Sequence, residues 1–308
     1  MILTITPNPT IDRVYFVENF EMGEIHRPQK VVCSAGGKGL NVARVSHILN
    51  EQVLAMGFVG GFNGKYIRAE IEKLGIKTAF TNICGETRIC VNISDGKGRS
   101  GELLEKGPQI SGEEEQAFFD EFIKYLPEYD IICVSGSLPP GLDESFYAKV
   151  IRICKENGKK VIADGSEKVL GKIIEDKPFM IKPNRYELSI LMKKEIHSSN
   201  DVKEALIFMK DKGIEIPLIT LGKDGAMAYV GEKFYKFNSP LVTVKNAVGS
   251  GDSSVAGIAA GLSRGMDIAD AIRLGMAAGT ANTQFEETGN VSCDLVEKYY
   301  KEITVETV

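Results

Sequence analysis

From about residue 110 onward, short apolar runs alternate with longer stretches that have helical periodicity. The apolar runs cover residues 131–134, 161–163, 179–181 and 217–221. Between the last two, residues 201–213 are typical of an amphipathic helix, with Asp201 as its cap and Gly213 at its end. Short strands that alternate with helices predict an α/β fold whose central, mostly parallel sheet is covered on both faces.

Ligands of such sheets bind beyond the carboxyl ends of the strands, so the residues that follow each apolar run are the most informative. They are Ser135-Gly136-Ser137, Asp164, Lys182-Pro183-Asn184 and Thr220-Leu221-Gly222. These segments are small, polar or charged, as a binding edge requires. The sequence therefore predicts a ligand site along this edge of the sheet.

The first 110 residues have a different pattern. Their β-rich segments lie at 11–17, 25–33, 88–94 and 102–105, and their helix candidates at 41–49 and 65–74. Asp95-Gly96-Lys97-Gly98 is a turn signal, so residues 88–105 are expected to form a hairpin. Because no Pro- or Ser-rich linker follows, we expect one domain, residues 1–308, with a small β lid formed from about 11–33 and 86–107.

Composition changes this picture mainly by exclusion. Of the 308 residues, 43% are hydrophobic and 26% charged, and the formal net charge is −5. This charge gives no general attraction to nucleic acid or to anionic membranes. No apolar run approaches the roughly 20 residues that a membrane helix needs. The six cysteines lack metal-site spacing, so we expect a cytoplasmic protein with reduced thiols that binds neither nucleic acid nor membrane.

The strongest chemical signal is Asn246-Ala247-Val248-Gly249-Ser250-Gly251-Asp252-Ser253, followed by a helix of small residues at 254–262. Glycines allow a tight turn that directs several N–H groups at one position, and a helix beginning there adds its positive end. Such a turn can stabilise a transferring phosphoryl group, and an Asp within it can accept a proton from an attacking hydroxyl. On spacing alone, an ordinary helix cap at Asp252 is an equally good interpretation.

A second glycine-rich segment, Ser34-Ala35-Gly36-Gly37-Lys38-Gly39-Leu40-Asn41, resembles a phosphate loop only superficially. It is not a Walker A motif, because Gly39 rather than Ser or Thr follows Lys38. Its functional interpretation is a close approach of the backbone to a polyhydroxy ligand, with Lys38 and Asn41 as polar contacts. The alternative is a flexible turn before a helix.

In the segment Lys182-Pro183-Asn184-Arg185-Tyr186-Glu187, Asn184 and Glu187 are three residues apart. This spacing fits an ordinary capping box. The functional interpretation instead places Asn184 near nucleotide phosphate and Glu187 near Mg²⁺ through water, because Mg²⁺ usually keeps several of its waters in proteins. Single residues give weaker signals: Asp12 could bind sugar hydroxyls, and Arg27 and Arg88 could bind a phosphate on the acceptor.

Together, Gly36-Gly37-Lys38-Gly39-x-Asn41, Lys182-Pro183-Asn184-x-x-Glu187 and Gly249-x-Gly251-Asp252 resemble the ribokinase-like sugar kinases of the phosphofructokinase-B family. The resemblance extends from Thr6-Pro7-Asn8-Pro9 to the segment 278–283. Distant signatures in the family's order are far more specific than one alone, and they favour Asp252 as a base. The resemblance implies a three-layer sandwich with a mostly parallel central sheet and a small β-sheet lid, which often mediates dimerisation.

The resemblance also implies roles for the matched residues. Asp252 would be the catalytic base, with an anion hole formed by Gly249, Ser250 and Gly251. The triphosphate and the Mg²⁺ of ATP would be bound by Lys182, Asn184 and, through water, Glu187. The nucleotide cleft would be lined by Thr220, Gly222, Gly225 and Asn282. The sugar would be held by Asp12, Gly36, Gly37, Asn41 and Ser137. The phosphate already on the sugar would be held by Arg88, Arg27 and Lys38.

Within the family, Thr87-Arg88 and the segment 135–141 resemble the branch that phosphorylates sugar phosphates. This branch includes tagatose-6-phosphate kinases and 1-phosphofructokinases, and residues 102–108 are more similar to the former. The implied reaction is phosphorylation of tagatose-6-phosphate to the 1,6-bisphosphate by a homodimer joined through the lid. The alternatives are phosphorylation of fructose-1-phosphate to fructose-1,6-bisphosphate, or a non-catalytic sugar-phosphate sensor, which the intact Gly249, Gly251 and Asp252 disfavour.

Overall fold

The computed structural model describes residues 1–95, 100–165 and 167–308. The strands are β1 (Ile2–Thr6), β2 (Thr10–Phe16), β3 (Lys30–Gly36), β4 (Val53–Gly60), β5 (Lys77–Ile83), β6 (Arg88–Ser94), β7 (Ser100–Leu104), β8 (Ile131–Gly136), β9 (Lys160–Gly165), β10 (Met180–Ile181), β11 (Ile216–Thr220), β12 (Ala226–Val230), β13 (Lys233–Asn238) and β14 (Thr304–Thr307). The helices are α1 (Lys38–Ile48), α2 (Gly61–Lys73), α3 (Gly112–Tyr125), α4 (Ser145–Glu156), α5 (Glu167–Glu175), α6 (Arg185–Met192), α7 (Ser199–Asp211), α8 (Ser250–Ser263), α9 (Ile268–Asn282) and α10 (Cys293–Glu302).

The larger sheet contains ten strands in the order β14-β13-β12-β11-β10-β9-β8-β1-β4-β5. The strands from β11 to β5 run parallel, whereas β12, β13 and β14 extend the sheet antiparallel. Along β8, Ile132 and Val134 enter one apolar cluster while Ile131 and Cys133 enter another on the opposite face. A sheet buried on both faces needs a helical layer on each. The predicted mostly parallel, three-layer fold is therefore confirmed.

The two helical layers differ in the size of their side chains. On one face, α3 and α4 contribute buried aromatic residues such as Phe118 and Tyr147. On the other, α8 packs on α9 through small residues: a Cβ on Gly257 would lie 2.7 Å from the Cα of Gly275. This close approach buries α8 along most of its length and fixes its first turn at the carboxyl edge of the sheet. Among the helices that the structure describes, none combines the length and apolar character needed to cross a membrane.

The smaller sheet has the strand order β3-β2-β6-β7 and contains the four predicted β-rich segments, whereas β1, β4 and β5, which also lie in the first 110 residues, belong to the larger sheet. The predicted hairpin at 88–105 is confirmed by antiparallel pairing of β6 with β7, although part of its turn signal, residues 96–98, lies outside the described residues. The strand predicted at 25–33 instead begins at Lys30 and ends at Gly36. A third apolar cluster, which includes Ile11 of β2 and Ile67 of α2, joins this sheet to the larger one.

The predicted helix at 201–213 corresponds to α7, but its predicted cap is wrong. Ser198 is the N-cap residue: its hydroxyl accepts a hydrogen bond from the amide of Asp201. The Asp201 carboxylate in turn accepts from the amide of Ser198 at 2.8 Å, which completes a capping box. Gly213, with φ of 97°, directly follows the last capping residue, Lys212, and ends the helix as expected.

Candidate active site

Helix α8 begins at the glycine turn that the sequence singled out. Gly249 is its N-cap residue and has a left-handed backbone with φ of 83°. A Cβ at this position would lie 2.7 Å from Thr288 Cγ2 and 2.8 Å from the amide nitrogen of Gly289, so the turn has room only for glycine. Asp252 lies inside the first turn, so its interpretation as the helix cap is wrong. The free N–H groups and positive end of α8 are therefore close to Asp252.

The Asp252 carboxyl group lies in a buried, polar setting. Its side chain is 7% exposed, and its Oδ2 accepts a hydrogen bond from Asn41 Nδ2 at 2.8 Å. Burial raises the pKa of Asp252 to about 6, with a further increase from Asp164, while Lys38, Asn41 and Lys182 act to lower it. Such a carboxylate is ionised at neutral pH yet basic enough to accept a proton from a hydroxyl group.

Two lysines converge on Asp164, at the end of β9. Lys38 Nζ lies 3.3 Å from one of its carboxylate oxygens and Lys182 Nζ lies 3.6 Å from the other. Burial alone would raise the pKa of Asp164, but the two ammonium groups outweigh it and hold that pKa below its usual value. The Lys182 Nζ is also 3.3 Å from the position that a Cβ on Gly251 would take. Both cations thus lie beside the turn at the start of α8, in a site suited to phosphate.

Asn184 and Glu187 form the capping box that their spacing allowed. Asn184 Oδ1 accepts a hydrogen bond from the Glu187 amide, and Glu187 Oε2 accepts one from the Asn184 amide, both at 2.9 Å. This pair begins α6 directly after β10 and Lys182. Both side chains nevertheless line the same cleft as Asp252. The structural interpretation of the motif is therefore confirmed, and it leaves the ligand-binding interpretation open.

The smaller sheet contributes Asp12, on β2, to this region. Gly36, at the end of β3, has so little space that a Cβ there would lie 1.9 Å from Asp12 Oδ2. Burial raises the pKa of Asp12 to about 6, although Arg88 and Arg44 lower it, and the charge of Asp252 adds to the increase. The carboxylate of Asp12, on the smaller sheet, and that of Asp252, on α8, therefore line one cleft, which suits a ligand rich in hydroxyl groups.

Arg88 lies where the smaller sheet meets the loop after β1. Its guanidinium donates to the carbonyl oxygens of Glu105 at 2.8 Å and of Asn8 at 2.9 Å. The Asn8 side chain donates in turn to Ser137 Oγ at 3.3 Å. Two of the five N–H groups of Arg88 are thus used within the protein, and its buried Nε has no partner among the described residues.

These side chains line one cleft with a volume of ≈ 920 Å³ at the carboxyl edge of the larger sheet. It brings together most of the predicted site residues, namely Asp12, Gly37, Lys38, Asn41, Arg88, Ser137, Lys182, Asn184, Glu187, Thr220, Gly222, Gly225, Gly249, Ser250, Gly251 and Asp252. Gly36 borders it through Asp12. Among the described residues that line this cleft, neither Arg27 nor Asn282 is found.

Asn282 and Arg27 have different surroundings from those expected. Asn282 is fully buried, donates to the carbonyl oxygen of Val248 at 2.9 Å and accepts from the amide of Gly289 at 2.9 Å. Because its amide is used in holding the turn before α8, it supports the site from behind. Arg27 lies in the exposed connection between β2 and β3, away from the cleft of its own chain.

Comparison with known proteins agrees with this geometry. Residues 7–294 match the model of the pfkB family carbohydrate kinases. The chain belongs to this family. It is 40% identical to a tagatose-6-phosphate kinase of Staphylococcus epidermidis over 310 aligned residues, which cover 99% of each protein. As a member of the pfkB family, the chain is a phosphotransferase.

Solved structures support the same assignment to the pfkB family. A Thermotoga maritima protein described as a possible 1-phosphofructokinase has a TM-score of 0.91 and 26% identity, with 100% of this chain and 99% of that chain covered. Escherichia coli phosphofructokinase-2, in complex with fructose-6-phosphate, has a TM-score of 0.88 and 25% identity, with 98% of each chain covered.

Sequence reasoning missed parts of this candidate site. The segment 239–244 places Pro240, Leu241 and Val242 on the cleft, and Leu241 is 92% exposed. Exposed apolar side chains at the mouth of a cleft indicate a ligand-binding surface, but in the sequence they stand in a loop without periodicity. The sequence pattern marks Asp164 only as a strand-end residue. The available signal was chemical: a carboxylate such as Asp164 would repel a phosphate, so among predicted phosphate ligands it is expected to pair with lysines.

The carboxylates of this cleft also bear on metal binding. In the described ranges, no cluster of three or more His, Cys, Asp and Glu side chains could enclose a metal ion. Glu187 is 9% exposed and lines the cleft. This arrangement fits Mg²⁺, which is commonly held by one or two carboxylates, water and the phosphates of the substrate.

Proposed function

We propose that this kinase transfers the γ-phosphoryl group of MgATP to a ketohexose phosphate, and that its preferred acceptor is tagatose-6-phosphate. The observation that carries the proposal is the position of Asp252 in the first turn of α8, held by Asn41 and flanked by Lys38 and Lys182. The name of the S. epidermidis relative supports the choice of acceptor. Fructose-1-phosphate is the alternative acceptor, supported by the T. maritima neighbour.

In the proposed reaction, Asp252 accepts the proton of the acceptor hydroxyl while its oxygen attacks the γ-phosphorus. The bond between that phosphorus and the oxygen bridging to the β-phosphate breaks, and ADP leaves. Negative charge on the transferring group is stabilised by the amides of Gly249, Ser250 and Gly251 at the positive end of α8. Lys182 adds a buried ammonium group beside the same turn.

The nucleotide is proposed to occupy the half of the cleft that extends from α6 to the segment 239–244. Asn184, Lys182 and Glu187 would contact its phosphates, with Glu187 holding Mg²⁺ through water. Thr220, Gly222 and Gly225, at the end of β11 and in the following turn, would line the space for the nucleoside. Leu241 and its apolar neighbours suit the flat face of a base.

The acceptor is proposed to lie between the smaller sheet and α1. Asp12, Gly36, Gly37, Asn41 and Ser137 would contact its hydroxyl groups. Arg88, whose Nη1 and Nη2 atoms each keep one N–H group not used in the bonds described above, would bind its phosphate. The sequence predicted Lys38 as a ligand of the acceptor's own phosphate. Because Lys38 shares Asp164 with Lys182 and its charge acts on Asp252, we propose it instead for the transferred phosphoryl group. Arg27 has no contact in this arrangement of a single chain.

We also propose a homodimer joined through the smaller sheet, which would act as a lid on the cleft. Apolar side chains are exposed both in the connection between β2 and β3, where Met22 is 89% and Ile25 88% exposed, and on β7, where Leu103 is 65% and Leu104 66% exposed. Apolar side chains exposed together favour association. Light scattering should show a dimer for the native chain, and Met22→Glu with Ile25→Glu should shift it toward a monomer. A monomeric native protein would contradict this proposal. The expected cytoplasmic location stays a prediction.

The test of the catalytic assignment is Asp252→Asn. The variant should bind MgATP normally and lose at least about a hundredfold in kcat, the size of a general-base contribution. Asp294→Asn is a matched control, because Asp294 also lies in the first turn of a helix but is exposed. Near-native turnover of Asp252→Asn would contradict the assignment of Asp252 as the general base.

The acceptor is tested by comparing kcat/KM for tagatose-6-phosphate, fructose-1-phosphate and fructose-6-phosphate. The largest value is expected for tagatose-6-phosphate. A larger value for fructose-1-phosphate would favour the alternative activity. No ATP consumption with any sugar phosphate would favour a sensor.

A further inference from the structure

Arg44 lies on α1 one turn after Asn41 and makes no ion pair among the described residues. Its Nη1 donates to Asn41 Oδ1 at 3.1 Å and to the carbonyl oxygen of Thr288 at 3.2 Å. Its Nη2 donates to the carbonyl oxygen of Ala35. The partners of this partly buried cation are therefore an amide and two backbone carbonyls, from three separate segments of the chain.

The contact with Asn41 determines which way that amide faces. With Oδ1 accepting from Arg44, the Nδ2 group faces Asp252 and donates to its carboxylate at 2.8 Å. The reversed amide would direct its oxygen at the Asp252 carboxylate and its NH₂ group at the guanidinium, which would replace two hydrogen bonds by two repulsive contacts. Arg44 therefore selects the only orientation of Asn41 that supports an ionised Asp252.

The same arginine is packed against the loop between α9 and α10, at residues 288–289. A Cβ on Gly289 would lie 2.9 Å from Asn41 Oδ1 and 3.0 Å from Arg44 Nη1. On its other side, the Gly289 amide nitrogen lies 2.8 Å from the position of a Cβ on Gly249. The backbone at 288–289 is thus held between Arg44 and the glycine turn, so the distance from Asn41 to α8 cannot change freely.

We infer that Arg44 is a positioning residue, which acts through Asn41, itself confined by the backbone at 288–289, to hold the Asp252 carboxylate in register with the start of α8. This inference rests on the proposed role of Asp252 as the base. Arg44 itself contacts neither the nucleotide nor the sugar in the proposed arrangement, because it is absent from the described residues that line the cleft. Its removal should therefore lower kcat while leaving the KM for MgATP nearly unchanged.

The experiment is a double-mutant cycle with Arg44→Met and Asn41→Ala. Arg44→Met should lower kcat about tenfold, the value of one net hydrogen bond to a charged or oriented group. In the Asn41→Ala background, the same substitution should change kcat by less than about twofold, because residues that act through one another are not additive. Arg68→Met is the matched control: Arg68 also bonds a carbonyl and an amide, those of Phe80 and Asn82, on a different helix.

Arg44→Lys covers the case in which Arg44→Met does not fold. Lysine keeps the charge and can reach Asn41, but it lacks the planar fork that serves several acceptors, so kcat should fall less than in Arg44→Met. Loss of kcat by Arg44→Met or Arg44→Lys that is equally large with and without Asn41 would overturn the inference, as would native kcat in both variants. Asp252→Asn is measured in parallel: if it retains turnover, the proposed function fails, whatever Arg44 does.

Discussion

The ammonium group of Lys182 lies 3.6 Å from the Asp164 carboxylate, and both side chains are only 4% exposed. Lys38 approaches the other carboxylate oxygen to 3.3 Å. Two cations share one anion at the place where β9 and β10 end. The group therefore has a net positive charge, which an incoming phosphate would neutralise. The sheet edge supplies this charge without an arginine and without a Walker-type loop.

Asp164→Asn should destabilise the fold, because it leaves Lys182 buried without a counter-charge. Removal of one partner from a buried pair typically costs about 3–5 kcal/mol in the free energy of unfolding. Urea unfolding checks this value. Asp130→Asn is the control, since Asp130 pairs with Lys159 at 3.4 Å but is 77% exposed, and its loss should cost under about 1 kcal/mol. Equal effects of the two substitutions would contradict the prediction.

Turnover should fall in mild acid. The pKa of Asp252 is raised to about 6 by burial, and only the ionised carboxylate can accept the proton of the acceptor hydroxyl. We therefore expect kcat/KM for the acceptor, which reports the pKa of the enzyme before the acceptor binds, to be constant above about pH 7 and to decrease about tenfold per pH unit below about pH 6. The measurement is kcat/KM for the acceptor from pH 5 to 8. The pKa of Asp12 is also raised to about 6. If Asp252 alone causes the loss of activity in acid, Asp12→Asn should show the same decrease below about pH 6 as the native chain.

Asp252→Asn should stabilise the folded protein at neutral pH. The folded-state pKa of about 6 lies above the ordinary value of 3.8, so ionisation of Asp252 opposes folding. The protonated carboxyl group favours folding. This contribution to stability is complete below pH 3.8 and is lost as the pH rises through 6. Relative to the native chain, the variant should gain about 2–3 kcal/mol at pH 8 and little near pH 4. Denaturant unfolding of both proteins at pH 4 and pH 8 tests this prediction. The same difference in unfolding free energy at both pH values would contradict the link between the Asp252 pKa and stability.

Gly249→Ala should damage both stability and turnover. The φ of 83° is unfavourable for alanine, and its Cβ would meet Thr288 and Gly289 at less than 3 Å. We expect a loss of about 2–4 kcal/mol in unfolding free energy, from backbone strain and the overlap together. Gly158→Ala isolates the first cause, because Gly158 has φ of 68° and an added Cβ there would have no atom within 4 Å. It should cost about 1–2 kcal/mol and leave kcat unchanged.

The layers of the fold and the edge that holds the site could be predicted from sequence because both depend on local patterns. Buried parallel strands give apolar runs, and polar residues such as Asp164 and Lys182 must follow where these runs end. The exact strand and cap positions were less predictable. The helix at 201–213 begins at Ser199 with Ser198 as its cap, since Ser198 and Asp201 both fit a cap and only the reciprocal bonds distinguish them.

The contacts between distant segments could not be predicted, because no spacing records them. Arg44 resembles a solvated helix residue in the sequence, yet it bonds Ala35, Asn41 and Thr288. Asn282 is a residue type that often contacts ligands, but its side-chain amide is used in hydrogen bonds to the backbone of Val248 and Gly289. Such partners are known only when the tertiary structure has brought their backbones together.

Four connections join the smaller sheet to the rest of the molecule, and they are tied to one another. Asn8 follows β1. Its side-chain amide donates to the carbonyl oxygen of Lys106 at 3.0 Å, and its backbone carbonyl accepts from Arg88 at 2.9 Å. Gly37, between β3 and α1, packs beside Pro9, whose Cα would be 3.3 Å from an added Cβ. A sheet whose connections are bonded to one another is expected to move as one body. Because Asp12 and Arg88 both lie on this sheet, a sugar's hydroxyl group and its phosphate would be captured or released together.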